Sequence, residues 1–245
     1  MPNPYFQFKQ FLVRHDMCGQ KVSTDACIFG AWAARSMALR GDLPKYLMDI
    51  GTGSGLLALM AAQYNPTLRI DAIELDMQAA EQAAMNVKAS PWSDAIRILH
   101  GTVQDYARNE GQGQYDIVVS NPPFFAATTT PGDAKRRNAS HTVTLGFSEL
   151  VESVNRLLAS HGRFFVLLPM QSSDEFMKYA ADKGLYPCLV LRIRDSVRRT
   201  PHRCCIEFIR CRTVTITSSL LTIKEPDNSY TAEFVDLLSA FYLHL

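Results

Sequence analysis

The 245-residue sequence lacks the features of a membrane, secreted or metal-binding protein. Its N-terminus has no apolar core of a signal peptide, and its longest apolar run, residues 56–62, is far too short to span a bilayer. The six cysteines form no CxxC pair and have no histidine spacing suited to zinc. We therefore expect reduced, mostly buried cysteines, no metal site and a cytoplasmic location.

The sequence also lacks a strong excess of charge, internal repeats, low-complexity segments and a clear linker. Its 25 basic and 24 acidic side chains nearly cancel, and 47% of its residues are hydrophobic. This composition is typical of one globular domain with a sizeable core. We predict a single domain over residues 1–245, with an N-terminal extension (1–30), a catalytic core (31–212) and a C-terminal strand and helix (213–245).

Strand-like and helix-like runs alternate from about residue 45 to 180. The pattern predicts strands at 46–50, 70–75, 96–100, 115–120 and 164–168, and helices at 56–64, 77–88, 148–160 and 174–183. Such alternation favours an α/β fold with a mostly parallel, Rossmann-like sheet and helices on both faces. Runs at 188–193 and 204–209 have no helix between them, which predicts a hairpin and an antiparallel strand at one edge.

A glycine-rich loop, GTGSG at residues 51–55, joins the first of these strands to its helix. Gly51, Gly53 and Gly55 allow a tight turn and a close approach of the backbone to a ligand. The spacing differs from the G-x-G-x-x-G of dinucleotide sites, and the preceding Asp49 would repel a pyrophosphate. S-adenosylmethionine, which carries a sulfonium and an ammonium group, suits this loop better than NAD. The alternative is a plain strand-to-helix turn.

The second strand ends at Glu74 and Leu75. A carboxylate one βα unit after the glycines can accept hydrogen bonds from both hydroxyls of a ribose. Leu75 can pack on the face of an adenine. Glu74 alone could equally be a solvated strand end, but together with Asp49 and the glycines it favours a cofactor site.

The fourth strand is followed by Asn121, Pro122, Pro123 and Phe124. An exocyclic amine of a nucleobase is a poor nucleophile, and two acceptors aimed at its hydrogens would hold its nitrogen for methylation. The side-chain oxygen of Asn121 and the carbonyl of Pro122 can be these acceptors, since the prolines fix the backbone. Phe124 offers a face for an extruded base, worth ~1–3 kcal/mol. The alternative is a proline turn with a capping asparagine.

These motifs together resemble class I S-adenosylmethionine-dependent methyltransferases of the Asn-Pro-Pro-aromatic group. The whole length resembles bacterial tRNA(Val) (adenine-N6)-methyltransferases, which modify the adenine next to the anticodon. The similar stretches are residues 8–11, 21–25, 30–32, 49–55, 121–124 and 230–243. The glycine loop and Asn-Pro-Pro-Phe are specific for the superfamily and its chemistry. Only the N-terminal stretches and the C-terminal tail indicate this family, and these are less specific.

The resemblance implies a seven-stranded sheet with its last strand antiparallel. It also implies that Thr24 and Asp25 lie near the methionine end of the cofactor, and that Thr52 and Asn121 are cofactor-binding residues. Many relatives hold an aspartate after the third strand that contacts the cofactor's adenine. This sequence has no aspartate there, so Thr102 or Val103 must serve.

Two clusters of basic residues are candidates for contact with RNA phosphates. We expect substrate RNA to contact Lys135, Arg136, Arg137, His141, Arg198, Arg199 and Arg203. Four more arginines surround the second cluster, at positions 192, 194, 210 and 212. Ordinary solvated surfaces are the alternative for both clusters.

The most favoured function is methylation of the N6 amine of an adenine in tRNA, with no obligatory protein partner. The same acceptor geometry would suit guanine N2 in ribosomal RNA or a glutamine amide in a protein. A non-catalytic RNA-binding factor on the same fold would be expected to lose Asp49, the glycines or Asn121, and all are present. A nicotinamide enzyme would leave residues 121–124 unexplained.

Overall fold

The computed structural model describes residues 3–38, 44–122, 146–212 and 215–245, and these ranges are the described part of the chain. Its strands are β1 (Tyr5–Gln7), β2 (Leu12–Arg14), β3 (Tyr46–Ile50), β4 (Arg69–Glu74), β5 (Ile96–His100), β6 (Tyr115–Ser120), β7 (Leu158–Pro169), β8 (Tyr186–Ser196), β9 (Arg203–Ile209) and β10 (Thr217–Lys224). Its helices are α1 (Thr24–Ala38), α2 (Leu56–Tyr64), α3 (Met77–Lys88), α4 (Val103–Asn109), α5 (Phe147–Leu157), α6 (Met170–Asp182) and α7 (Ala232–Leu238).

The main sheet confirms the predicted α/β class but corrects two details. In the described part of the chain it has eight strands, not seven, in the order β10-β8-β9-β7-β6-β3-β4-β5. The antiparallel strand β9 is not at an edge, because it pairs with β7 on one side and β8 on the other. After β9 the chain returns to the far side of β8 and adds β10 in parallel, so β10 forms the edge.

Most predicted elements match the structure within one or two residues. The strands at 46–50, 96–100 and 115–120 are confirmed, and Asp76 caps α3 by accepting the Ala79 N–H at 2.8 Å. The helix predicted over 148–160 is too long, since α5 ends at Leu157 and β7 begins at Leu158. Both residues are buried, at 0% and 2% exposure, so their hydrophobicity could not mark the change.

Helices cover both faces of the sheet. α1, α2 and α7, with Val87 of α3, enclose one apolar core, and α4, α5 and α6 enclose the other. The adjacent Cys204 and Cys205 lie in opposite cores, as expected for neighbours on a strand. Four of the six cysteines are buried and Cys211 is exposed, so the expectation of mostly buried thiols is confirmed.

The two ends of the chain meet beside α1. Phe8 is fully buried, stacks on Phe11 with ring centroids 4.5 Å apart, and lies 6.1 Å from the ring of Tyr242. The backbone N–H of Lys9 donates to the carbonyl of Phe241 at 2.8 Å. The N-terminal hairpin therefore packs on the C-terminal tail, while α1 runs without a break through residue 30.

Across the four described ranges, no helix combines the length and hydrophobicity needed to cross a bilayer. The same ranges contain no group of three or more histidine, cysteine, aspartate or glutamate side chains that could hold a metal ion.

Candidate active site

The candidate site lies where the chain reverses its direction of travel across the sheet. β3 pairs in parallel with β4 on one side and with β6 on the other. The chain moves outward through β4 and β5, then returns to the opposite side of β3 with β6. Open α/β sheets bind ligands at the carboxyl ends of strands at such a switch point. The sequence motifs following β3, β4 and β6 all meet at this edge.

The glycine loop has the backbone conformation that its sequence predicts. Gly51 and Gly53 have φ values of 69° and 56°, and a Cβ on either would meet no atom within 4 Å. Gly55 has φ 83°, and its added Cβ would contact Ala83 of α3 at 3.6 Å. The first two glycines therefore leave open space along the loop, whereas a Cβ on the third would be in ordinary van der Waals contact with α3, so Gly55 is favoured by its positive φ.

Asp49 is completely buried at the end of β3. Its Oδ2 accepts a hydrogen bond from the Thr52 hydroxyl at 2.6 Å, and its Oδ1 has no partner in the described part of the chain. Burial raises the pKa of this carboxyl to about 7, although the Thr52 hydrogen bond opposes the rise. A nearby cation would favour the charged carboxylate, so Asp49 is suited to a positively charged ligand group.

Glu74 is held against the glycine loop by backbone amides. Its Oε2 accepts from Gly53 N–H at 2.8 Å, and its Oε1 accepts from the N–H groups of Leu75 (2.8 Å) and Asp76 (3.0 Å). A carboxylate has about four acceptor sites, so these bonds orient it and leave capacity for a further donor. Leu75 beside it is 42% exposed, an apolar surface open to a flat ring.

The end of β6 is tied directly to the end of β3. Ser120 is fully buried, and its hydroxyl donates to the carbonyl of Ile50 at 2.9 Å. This bond places Asn121, which is half-buried, and the buried Pro122 immediately beside the start of the glycine loop. Phe124, the predicted stacking residue, lies outside the described residues.

Thr102 and Val103, expected near the adenine, are engaged in holding α4. The Thr102 hydroxyl accepts from Asp105 N–H at 3.1 Å and donates to the Asp105 carboxylate at 2.6 Å. Val103 is 5% exposed and packs in the core under α4. The part of these residues best placed to meet a ligand is therefore the backbone at the start of α4.

Asp25, at the start of α1, faces the turn between β8 and β9. Its carboxylate lies 3.1 Å from His202 Nε2 and 3.7 Å from Arg203 Nε. Asp25 was expected at the cofactor and Arg203 at the RNA, so the structure brings residues from the two predicted sets together. Thr24 is exposed next to them.

Two buried amides that sequence reasoning missed hold the N-terminal segment in place. Gln82 and Asn86 of α3 are 1% and 3% exposed. Gln82 Oε1 accepts from Met17 N–H at 2.6 Å. Asn86 accepts from Arg14 N–H at 3.0 Å and donates at 2.8 Å to the carbonyls of Arg14 and Ser54. Their spacing of four residues in an alanine-rich helix is the signal that could have revealed a polar stripe facing inward.

The arginines of residues 192–212 fall into separate groups. Arg198 and Arg199 are exposed in the β8–β9 turn, at the same edge as the glycine loop. Arg210 lies at the opposite end of β9, where it donates to the carbonyls of Asn155 (2.6 Å) and Leu158 (3.1 Å). The cluster seen in the sequence is therefore not one surface. Lys135, Arg136, Arg137 and His141 lie outside the described residues.

Known proteins are similar to this chain over its whole length. Residues 36–172 match the family model described as the methyltransferase small domain. A tRNA1(Val) (adenine(37)-N6)-methyltransferase from Bacteroides fragilis is 37% identical, covering all of both chains. One from Serratia proteamaculans is 40% identical over 97% of this chain and 89% of its own. The chain belongs to this methyltransferase family.

A solved structure supports the family's fold independently. A predicted O-methyltransferase from Agrobacterium tumefaciens superposes with a TM-score of 0.68, although it is only 15% identical. The superposition covers 87% of this chain and 95% of the other. At this identity the similarity concerns the fold alone.

Proposed function

We propose that this chain transfers a methyl group from S-adenosylmethionine to the exocyclic N6 amine of an adenine in tRNA, the adenine 3′ of the anticodon in valine tRNA. The observation that carries the proposal is 37% identity, over the full length of both chains, to a relative named for that activity. Asn121 and Pro122 lie beside the glycine loop, where the proposal requires them. The chain acts as one methyltransferase domain over residues 1–245, in the cytoplasm, with no obligatory protein partner.

The residues at the carboxyl edge fit S-adenosylmethionine, which supplies an activated methyl group when bound. The unpartnered Oδ1 of buried Asp49 suits the positive methionine end, and the open backbone from Gly51 to Gly55 allows a ligand to lie close. Thr52 holds Asp49 in place. Glu74, with one acceptor site left, accepts from a ribose hydroxyl, and Leu75 covers the adenine.

Three further groups of residues complete this proposed site. Thr24 and Asp25, at the start of α1, border the methionine end. Thr102 and Val103 meet the adenine through the backbone at the start of α4. Asn121 borders both the cofactor and the acceptor.

The acceptor amine is positioned by the end of β6. The side-chain oxygen of Asn121 and the carbonyl of Pro122 accept the two hydrogens of the amine, which holds its nitrogen facing the methyl group. The Ser120–Ile50 hydrogen bond keeps this pair of acceptors in register with the glycine loop. Positioning lowers the barrier without a strong base, because the surplus proton can leave after the transfer.

RNA is bound by cations on the same edge. Arg198 and Arg199 are exposed there, and Arg203 lies at the start of β9. We assign Lys135, Arg136, Arg137 and His141 to the same role, and stacking of the extruded base to Phe124.

A methyl-transfer assay with isotopically labelled S-adenosylmethionine tests the proposal. Unmodified bacterial tRNA and ribosomal RNA are offered separately, digested to nucleosides and analysed by mass spectrometry. Labelled N6-methyladenosine concentrated in valine tRNA is the expected result. Labelled methylguanosine from ribosomal RNA would show that the proposed substrate is wrong, while the proposed mechanism of methyl transfer to an exocyclic amine would stand. No label in either pool, with the cofactor bound, would reject RNA methylation and leave protein acceptors or a non-catalytic factor.

A further inference from the structure

The sheet rises on one side of the proposed acceptor site. Ser120, the last residue of β6, pairs with Val166, whereas β7 continues to Pro169, which pairs with Arg203. At 3.3 Å per residue, three further residues raise this wall roughly 10 Å above the end of β6. The wall comprises the ends of β7, β8 and β10 and the start of β9, and its side towards α1 contains a cavity.

This cavity has a volume of about 470 Å³, within the range of small-molecule sites. Asp25, Asp195, His202, Lys224 and Tyr230 are among its lining residues. It lies at the ends of β9, β8 and β10, which are two, three and four strands from β6 in the sheet. At the usual spacing between strands, this places the cavity roughly 10–20 Å from Asn121. The cavity is therefore separate from the proposed acceptor position but lies within reach of a neighbouring nucleotide.

His202 leaves an unusual arrangement of acceptors in this cavity. Its Nε2 lies 3.1 Å from the Asp25 carboxylate, so we assign the ring proton to Nε2. With the proton on Nε2, Nδ1 is an acceptor. It is buried, has no partner in the described part of the chain, and lies 4.0 Å from Oδ2 of Asp195. Two acceptors thus face each other and require donors.

The other walls suit a nucleotide. Tyr230 is 40% exposed, and its ring is held by Phe234, with centroids 4.5 Å apart. The ammonium of Lys224 lies 5.7 Å from the same ring and is placed to meet a phosphate. Exposed Arg198 and Arg199 lie in the adjoining turn. An acidic pocket with an aromatic wall inside a basic rim matches a base surrounded by its backbone phosphates.

We infer that this cavity is a nucleobase subsite, which binds an unpaired base next to the target adenine through an exocyclic amine. One N–H of that amine donates to His202 Nδ1 and the other to Asp195. The inference rests on the proposed function, because it places a second nucleotide of the same RNA. It adds a base-specific contact on the wall beside the catalytic motif, distinct from the phosphate contacts of the arginines.

Binding of modified RNA tests the subsite. The probe is a synthetic anticodon stem–loop of valine tRNA in which the exocyclic amine is removed from one loop base at a time. Replacement bases are purine for adenine, hypoxanthine for guanine and 2-pyrimidinone for cytosine. Affinity is measured by fluorescence anisotropy for the wild type, for Asp195→Ala and for Asp94→Ala, an exposed carboxylate preceding β5 at the opposite edge.

At one position beside the target, removal of the amine should weaken wild-type binding about tenfold. Asp195→Ala should weaken binding of the unmodified RNA to a similar extent and show little further loss with the amine-free RNA. Asp94→Ala should match the wild type at every position. A His202→Phe change should reproduce the Asp195→Ala pattern at that same position, while S-adenosylhomocysteine binding shows that both variants are folded.

An equal change of affinity for every RNA in Asp195→Ala would overturn the subsite, because it would not depend on the amine. A general gain in affinity would show that the carboxylate only repels the phosphates. The subsite would also be overturned if the losses of binding free energy from amine removal and from Asp195→Ala were additive, because two changes to one contact cannot each cause the full loss. Methyl transfer to the unmodified stem–loop by the wild type is measured in parallel. If the wild type transfers methyl but the amine removal and Asp195→Ala act independently, only the subsite is rejected. If the wild type shows no binding and no transfer, the proposed function itself is rejected.

Discussion

On the β3–β4 side of the carboxyl edge the two carboxylates are buried or half-buried and are held by the glycine loop and nearby backbone, whereas on the β8–β9 side the polar groups are half-buried or exposed side chains that contact one another. Glu74 accepts three backbone N–H bonds of 2.8–3.0 Å. Asp25, in contrast, meets His202 and Arg203 at 3.1 and 3.7 Å, and Asp195 is 70% exposed. We call these the cofactor half and the acceptor half. Asp25, which we propose to border the methionine end of the cofactor, lies where the two halves meet.

The difference corresponds to what each half is proposed to bind. A small cofactor is bound well by groups that are already held in the binding conformation, because little conformational entropy is lost on binding. The glycine loop and Glu74 are such groups. A large polyanion is attracted by exposed charges whose effect depends on salt. Changes in the cofactor half should therefore alter cofactor affinity and stability, and changes in the acceptor half should alter RNA binding.

The largest expected effect lies at the boundary between the halves. Asn121→Ala should lower the rate of methyl transfer at saturating substrates by roughly 100-fold or more, because it removes one of the two amine acceptors. The affinity for S-adenosylhomocysteine should change less than about twofold. Single-turnover transfer of labelled methyl and isothermal titration calorimetry measure the two quantities. Near-normal turnover in the variant would remove Asn121 from the chemistry.

Asp49 should make the cofactor half sensitive to pH. Its pKa of about 7, against an ordinary 3.8, means that the folded state binds this proton more tightly than the unfolded state. The unfolding free energy should therefore fall as pH rises from about 4 to 7, by roughly 4 kcal/mol at most. Denaturant unfolding of the wild type and Asp49→Asn measures this, since the variant should lose that dependence.

Cofactor binding should show the opposite trend with pH. The ammonium group of S-adenosylhomocysteine favours the ionised Asp49, so the Kd of this ligand should rise as pH falls below about 7, by up to about tenfold per pH unit. Asp49→Asn should bind more weakly with a flatter profile. An unchanged profile in Asp49→Asn would show that another group controls the pH dependence.

A pair of glycines separates backbone strain from ligand contact. Gly53 and Gly113 have φ values of 56° and 65°, and neither would place a Cβ within 4 Å of another atom. Changing either to alanine should cost about 1–2 kcal/mol of stability. Only Gly53→Ala should also weaken cofactor binding, because the added Cβ would enter the open space along the loop that we assign to the cofactor. Equal cofactor affinity in both variants would contradict the assignment of the loop.

The smallest effect is expected from the exposed arginines of the acceptor half. Replacing Arg198 and Arg199 with serine should reduce the slope of log affinity against log salt by roughly 0.7–0.9 for each RNA phosphate that an arginine neutralises. Cofactor affinity should not change. Lys45→Ser with Lys88→Ser, two exposed cations outside the carboxyl edge, is the matched control. An identical salt slope for both double variants would make the arginines an ordinary solvated surface.

Local signals were sufficient to predict much of the cofactor half. Gly51, Gly53 and Gly55 adopt positive φ, and Asp76 caps α3, because these conformations depend on residue type and near neighbours. The end of α5 was missed because Leu157 and Leu158 are both core residues, one helical and one in a strand. Hydrophobicity records burial and does not distinguish these two states.

Several residues of the site could not be placed from local signals. Gln82 and Asn86 look like ordinary surface amides until the N-terminal segment is seen to lie against α3. Arg203 and Arg210 are close in sequence but lie at opposite ends of β9, so only one of them lies at the carboxyl edge. Asp25 and His202 are 177 residues apart in sequence and in contact in the structure.

The sequence by itself determined the α/β class, the glycine loop, the carboxylates at the ends of β3 and β4, and the Asn121 motif. Each depends on residue type, spacing and the alternation of short periodic segments. Only the tertiary structure decided the place of β9 inside the sheet, the edge position of β10 and the cavity beside His202. These depend on which distant segments pair, and pairing is set by burial summed over the whole core rather than by any local pattern.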